Sequence, residues 1–322
     1  MLDRPPPAKR LDAMEARQIT LPQLREMLFD SDEFFDRMAL TSKTKGPSPL
    51  LSGLPRILRR IAGREPGAVP PWPIDRAKVT VVHLHIPKSA GSSLNTHLMT
   101  LYPQSARINA NEGRPEKQIS AMSRQDRGRI GVVVGHTTHG LGRLLTRPVL
   151  YLAVLRSPGP RLFSFYRYIQ RTPDHRYYDA VNTEAPDFGA FLELASTETV
   201  LRREVDNGQV RRLAGPMDTT PVDTRVYLRA CEHLFAPDMM YGLVENFDPF
   251  LQRLVDRGVL DKLKDVRANA APAGETVAPG EAFAKERDRL SDTQAKLLDA
   301  FTLWDNKLYA CAARQDRKMS AT

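Results

Sequence analysis

From residue 79 the chain alternates two patterns. Short unbroken apolar runs are separated by longer stretches in which apolar positions recur every three or four residues. Val79–Ile86, Ile130–Val134 and Val149–Leu155 are β-branched and apolar on successive positions, the pattern of strands covered on both faces. Met240–Val244 is a shorter strand of the same kind. Between them the helical period predicts Leu94–Leu101, Pro158–Gln170, Phe188–Leu194, Thr197–Asp206, Thr224–Phe235 and Asp248–Leu260. A long amphipathic helical region follows over Ala282–Ala312, with Leu290, Leu297, Leu298, Phe301, Trp304 and Leu308 on one side. Ala268–Gly280, rich in Ala, Gly and Pro, reads as a loop. Buried strands alternating with helices predict an α/β fold around a central parallel sheet.

The first 78 residues follow a different pattern and hold 11 of the 25 prolines. Thr20-Leu-Pro-Gln23 resembles a capping box opening a helix with Leu21, Leu24, Met27 and Leu28 on one face. Ser31–Glu33 opens a second short helix carrying Phe34, Phe35 and Met38. Residues 41–78 read as a Pro, Gly and basic linker with an amphipathic piece near Leu54–Ile61. The expected division is an N-terminal helical extension and linker, 1–78, docked on a main domain, 79–322.

Composition narrows the function classes. The chain has 322 residues and a net charge of +9, spread as +4 over residues 1–78, +4 over 79–265 and +1 over 266–322. No basic stripe supports nucleic-acid binding; a few placed basic groups around an anionic ligand fit equally well. Two cysteines, Cys231 and Cys311, exclude a disulfide scaffold and a multi-cysteine zinc site. They point to a reducing compartment. The longest apolar runs are about eight residues, against the ~20 of a membrane span. The opening MLDRPPPAKR carries no signal-peptide core, so a cytoplasmic protein is expected.

Two stretches carry candidate chemistry. In His83-Leu-His-Ile-Pro-Lys88-Ser89-Ala90-Gly91-Ser92-Ser93-Leu94, a buried strand meets a tight turn and then a helix. Gly91 lets the backbone approach a ligand, and the N–H groups of the first helical turn form an anion site. Lys88 adds a point charge. The order of lysine and glycine is not that of a Walker A loop. In Leu155-Arg156-Ser157-Pro158-Gly-Pro-Arg161-Leu-Phe-Ser164-Phe-Tyr166, Arg156 ends a buried strand at the carboxyl edge of the sheet, where open α/β sheets bind ligands. Its planar fork and the Ser164 hydroxyl suit a second phosphate, whereas Arg161 reads as structural.

Together these stretches resemble the carbohydrate sulfotransferase family, in particular the branch of heparan sulfate 2-O-sulfotransferases and their bacterial relatives. Ile86–Ser93 is similar to the family's I-P-K-[ST]-x-G-[ST]-S loop, with Ala90 where many relatives have glycine. Arg156–Tyr166 is similar to R-D-P-x-x-R-x-x-S-x-Y, with Ser157 in place of aspartate. Val134-Gly-His136 resembles the family's Gly-His after the same strand. Asn207-Gly-Gln209-Val-Arg211-Arg-Leu-Ala-Gly215 resembles a segment near the cofactor and acceptor cleft, and Gly242–Asp248 a scaffold segment. Asn269 is a weak match to a residue near the adenine. The resemblance covers residues 79–260.

The resemblance implies a three-layer, P-loop-NTPase-like fold and transfer of a sulfuryl group from 3′-phosphoadenosine-5′-phosphosulfate, PAPS, to a carbohydrate hydroxyl, with 3′,5′-adenosine diphosphate, PAP, as product. Lys88, Ser89, Ala90, Gly91, Ser92 and Ser93 would hold the 5′ end, and Arg156 and Ser164 the 3′-phosphate. His136 would be the base, with His139 its rival, and Lys88 would steady the leaving group. His139, Gln209 and Arg211 are candidates for the acceptor side. His83 reads as a core histidine, and His85 as a possible support for the cradle. No metal is expected, and the oligomeric state is open. The alternatives are a nucleoside or sugar kinase on the same layers, and a non-catalytic nucleotide- or glycan-binding protein.

Overall fold

A computed structural model describes residues 72–215, 221–262 and 279–320. These all fall within one of the two units into which the chain divides, that spanning Pro49–Thr322. The helices expected before residue 72, and Asn269, lie outside the described residues.

Five strands form one parallel sheet in the order β2-β3-β1-β4-β5: β1 Thr80–Leu84, β2 Arg107–Asn109, β3 Val132–Gly135, β4 Val149–Leu155 and β5 Met239–Leu243. Parallel neighbours require crossovers, and helices supply them. Alternate strand residues point to opposite faces. On one face Val81, Val132, Val134, Leu150, Leu152 and Val154 pack with Leu94 and Leu98 of α1 (Gly91–Thr100) and with Phe250, Leu251 and Leu254 of α10 (Phe247–Asp256). On the other face Tyr241 donates its hydroxyl to the Ala312 carbonyl of the long C-terminal helix α12 (Asp292–Ser320). Both faces are dry, which is why these strands read as continuous apolar runs.

α2 (Pro115–Ala121) and α3 (Arg124–Arg127) lie between β2 and β3. α4 (Pro158–Gln170) follows β4, and its start matches the proline-opened helix read from sequence. α5 (Tyr178–Glu184), α6 (Phe188–Thr197) and α7 (Thr199–Val205) build a second apolar cluster against α4, with Phe165, Tyr166, Phe188, Phe191 and Phe301 at its centre. α8 (Gly208–Ala214), α9 (Thr224–Leu234) and α11 (Pro279–Arg287) complete the twelve helices among the described residues. None is long and apolar enough to cross a membrane. Both cysteines are buried thiols.

Most elements stand where the pattern predicts them, and the differences have physical reasons. The expected helix over 282–312 is two helices. Ser291 and Gln294 form a capping box that starts α12 afresh: the Ser291 hydroxyl accepts from Gln294 N–H at 3.3 Å, and the Gln294 amide oxygen accepts from Ser291 N–H at 3.0 Å. β2 is three residues long at the sheet edge, with too few apolar positions to register as a strand.

Candidate functional site

The carboxyl ends of β3, β1 and β4 lie side by side, so the segments after them share one edge of the sheet. The chain leaves β1 toward β2 on one side, while β4 continues toward β5 on the other. In open α/β sheets such a reversal is where ligand crevices form, which here is between the carboxyl ends of β1 and β4.

After β1 the backbone turns through two left-handed residues, Lys88 with φ 65° and Ala90 with φ 54°. Such conformations cost an L-residue roughly 1 kcal/mol each and are kept where the surroundings over-determine them. The turn delivers the chain into α1 with no side-chain cap and no acidic residue in the first turn. The α1 start therefore presents backbone N–H groups and positive dipole at this edge of the sheet without a carboxylate of its own. Ser89 is buried, and its hydroxyl has no partner. A Cβ built on Gly91 would stand 2.7 Å from the Nε2 of His85, so glycine there is a requirement of packing.

A histidine network backs this turn. His83 Nδ1 pairs with the Asn95 amide oxygen, and the Asn95 amide nitrogen reaches His85 Nδ1 at 3.1 Å. The rings of His85 and His136 stack with centroids 4.7 Å apart. Burial holds the imidazole of His83 down to about 4, and burial followed by the neighbouring His83 holds His85 down to about 2. Both are neutral near pH 7. His136 stands at the end of β3, exposed as a residue but with its ring against the protein. Desolvation of that ring, then the charge of Arg212, lowers its pKa. His136 Nδ1 lies 3.1 Å from the His85 carbonyl oxygen. A carbonyl only accepts, so Nδ1 carries the proton and Nε2 keeps its lone pair. The backbone N–H of His136 donates to Asn111 at 3.0 Å, which fixes the residue further.

Arg156 ends β4 half-buried and donates Nη1 to the Lys88 carbonyl at 3.0 Å. The two stretches singled out from sequence therefore meet. The backbone of Arg156 is clamped from below: Gln209 accepts from its N–H at 3.0 Å and donates to its carbonyl at 2.9 Å. Ser157 N–H donates to Glu245 at 2.9 Å, and Glu245 accepts from Tyr309 at 2.8 Å. Ser164 is half-buried on α4, one turn before Tyr168 on the same helix face. Lys88 Nζ sits 4.3 Å above the Tyr168 ring. Lys88, Arg156 and the Ser164 face of α4 are thus gathered at one place.

The other candidates have different surroundings. Arg211 is buried and pairs with Asp206 at 2.8 Å, and Gln209 is occupied by Arg156. His139 belongs to another stack, with centroids 3.6 Å from His233 and 4.4 Å from Tyr151. Arg161 is buried 3.5 Å from Asp305, in keeping with a structural role. Sequence reasoning missed Asn95, Arg212 and Glu204. Arg212 makes a two-pronged pair with Glu204 at 2.6 and 2.8 Å beside His136. Asn95 lay in view one helical turn after Gly91; the long-range partners had no local signal. Among the described residues no cluster of His, Cys, Asp and Glu could hold a metal ion.

A scan of protein-family models and a search of curated proteins each gave no match to this chain.

Proposed function

We propose that the chain is a sulfotransferase that moves a sulfuryl group from PAPS to a carbohydrate hydroxyl, on a three-layer fold of the P-loop-NTPase-like kind. The observation that carries this reading is the bond from Arg156 to the Lys88 carbonyl. It ties the anion-binding turn after β1 to the arginine end of β4, as a nucleotide with phosphates on both sides of its ribose requires. The residues fit such a group: an uncapped α1 start, an unpartnered buried Ser89 hydroxyl, and a half-buried guanidinium with donors to spare.

When bound, PAPS supplies the sulfuryl group. The N–H groups of Gly91–Leu94, with Ser92 and Ser93, hold the 5′-phosphate. Arg156 and Ser164 hold the 3′-phosphate, which gives preference over ATP. Lys88 leaves Tyr168 to neutralise charge on the departing 5′ side. A cation–π contact of about 0.5–1 kcal/mol at an exposed ring is weak enough to exchange. His136 Nε2 takes the proton of the attacking hydroxyl. Its lowered pKa leaves it unprotonated near pH 7, as a base must be. Positioning and fixed charge carry the rest of the catalysis.

The test is incubation of the full chain with PAPS and a panel of glycans, read by mass spectrometry for sulfated product and for release of PAP. Sulfated glycan formed with PAPS and lost in Lys88→Ala supports the reading. Phosphorylation from ATP with magnesium, and no sulfation, overturns it in favour of a kinase.

A further inference from the structure

We infer that Arg212, paired with Glu204, is a positioning residue for the base: it grips the segment after β3 that carries His136 and sets the charge facing the imidazole. The inference rests on the proposed reaction and adds two residues to it.

The chain from His136 to His139 leaves β3 without helix or strand of its own. Arg212 holds it at two points. Its backbone carbonyl accepts from the His139 N–H at 2.9 Å, and its Nη1 donates to the Thr137 carbonyl at 3.4 Å. Its Nη2 is fixed in turn by both oxygens of Glu204, at 2.6 and 2.8 Å. The planar fork of an arginine can serve a carboxylate and a carbonyl together, which the point charge of a lysine cannot do in the same geometry. Arg212 is 3% exposed and Glu204 half-buried. A buried ion pair is a weak source of stability, because desolvation offsets the attraction. Here the pair fixes a segment instead.

The same helix holds a second strand end. Gln209 lies three residues before Arg212 on α8, on the same side of the helix, and clamps the N–H and carbonyl of Arg156. α8 thus ties the ends of β3 and β4, the two strands that flank β1.

The pair also sets charge. The titratable groups that act with His136 are His83 on β1 and His85 after it, both neutral, Glu204 on α7 and Arg212 on α8. Burial works to raise the Glu204 carboxyl, but the charge and bond of Arg212 outweigh it and keep the group below its ordinary value. Burial and then Arg212 lower His136, while Glu204 acts the other way. The carboxylate tempers the cation beside the base.

The experiment follows the His136 ring by NMR titration of the full chain, with kcat and KM measured for transfer from PAPS. Glu204→Gln removes the carboxylate and keeps the cation, so the ring titration and the acid limb of the pH–rate profile should both move to lower pH. Arg212→Gln should move both to higher pH. A merely structural pair would not shift the ring in opposite directions. Arg212→Lys keeps the charge and loses the fork, so the ring should titrate as in the wild type while kcat falls about 10- to 100-fold and KM holds. Should an Arg212 variant fail to fold, the direction of the shift in Glu204→Gln decides alone. A folded Glu204→Gln whose His136 titrates as in the wild type, or a folded Arg212→Lys with wild-type kcat, overturns the positioning role and leaves the sulfotransferase reading standing. A wild type without transfer activity overturns that reading and the role with it.

Discussion

Two helices at this edge of the molecule begin in the same way and are completed differently. α1 is entered through Ala90 with φ 54°, and α8 through Asn207 with φ 51°. At α8 the chain supplies its own anion. Asp305 of α12 accepts from Gln209 N–H at 3.2 Å and Val210 N–H at 2.8 Å, with Arg161 alongside. Asn207 is knitted into the same helix: its amide oxygen accepts from Trp304 and Asp305, and its N–H donates to Phe301. The first turn of α1 holds no acidic residue and its N-cap makes no side-chain bond; among the described residues, neutral histidines, Ser89 and Lys88 lie near this turn. The fold spends a buried carboxylate on the helix start that positions Gln209 and Arg156, and leaves open the start beside it. The completed terminus is architecture, and the open one is where the proposed nucleotide would bind.

The comparison is broken most severely at its filled half. Asp305→Ala leaves Arg161 buried without its counter-charge and the α8 N–H groups bare, and should cost about 3–5 kcal/mol in urea unfolding. Unfolding at the wild-type urea concentration would contradict the architectural role. At the open half, His136→Ala should slow transfer roughly 10²- to 10⁴-fold while costing only about 1 kcal/mol of stability, the worth of its ring's bond to the His85 carbonyl. Equal rates would remove the base. Arg156→Ala should weaken binding of 3′,5′-adenosine diphosphate about 10- to 100-fold in calorimetry, with unchanged affinity as the contrary result.

The sequence carried the two halves unequally. β1, β4 and α4 were legible with nearly their observed ends, because unbroken β-branched runs and Pro158 are local signals. The open start was legible too, since strand, lysine, glycine and serines are contiguous. α8 was not. Arg211 reads as an acceptor-side candidate and Arg212 carries no signal of its own, yet both are buried on carboxylates, Asp206 and Glu204. Asp305 is nearly a hundred residues from the N–H groups it accepts from, and no local pattern announces such a cap. The His83–Asn95–His85 network joins a strand to the opposite face of a helix turn, and was equally hidden.

Acid separates the halves further. His83 and His85 have pKa values in the fold below the ordinary 6.5, so the unfolded chain binds more protons and stability falls as the pH drops. The decline should begin near pH 6.5 and continue to about 4 for His83, and lower for His85. It should be shallower in His83→Gln than in the wild type, measured by urea unfolding at each pH. Equal slopes between pH 6.5 and 5 would contradict the neutral network. The smallest effect is expected at Ala90→Gly. Relief of the left-handed strain and the added freedom of the unfolded chain nearly cancel, so stability should shift by less than about 1 kcal/mol.

The account turns on whether the open start and Arg156 grip one nucleotide. Calorimetric titration of the full chain with 3′,5′-adenosine diphosphate and, separately, with adenosine 5′-diphosphate asks this directly. The bisphosphate should bind at least ~10-fold more tightly, the worth of one charge-assisted phosphate contact. Equal affinity for the two, or tighter binding of the 5′-diphosphate, would contradict it.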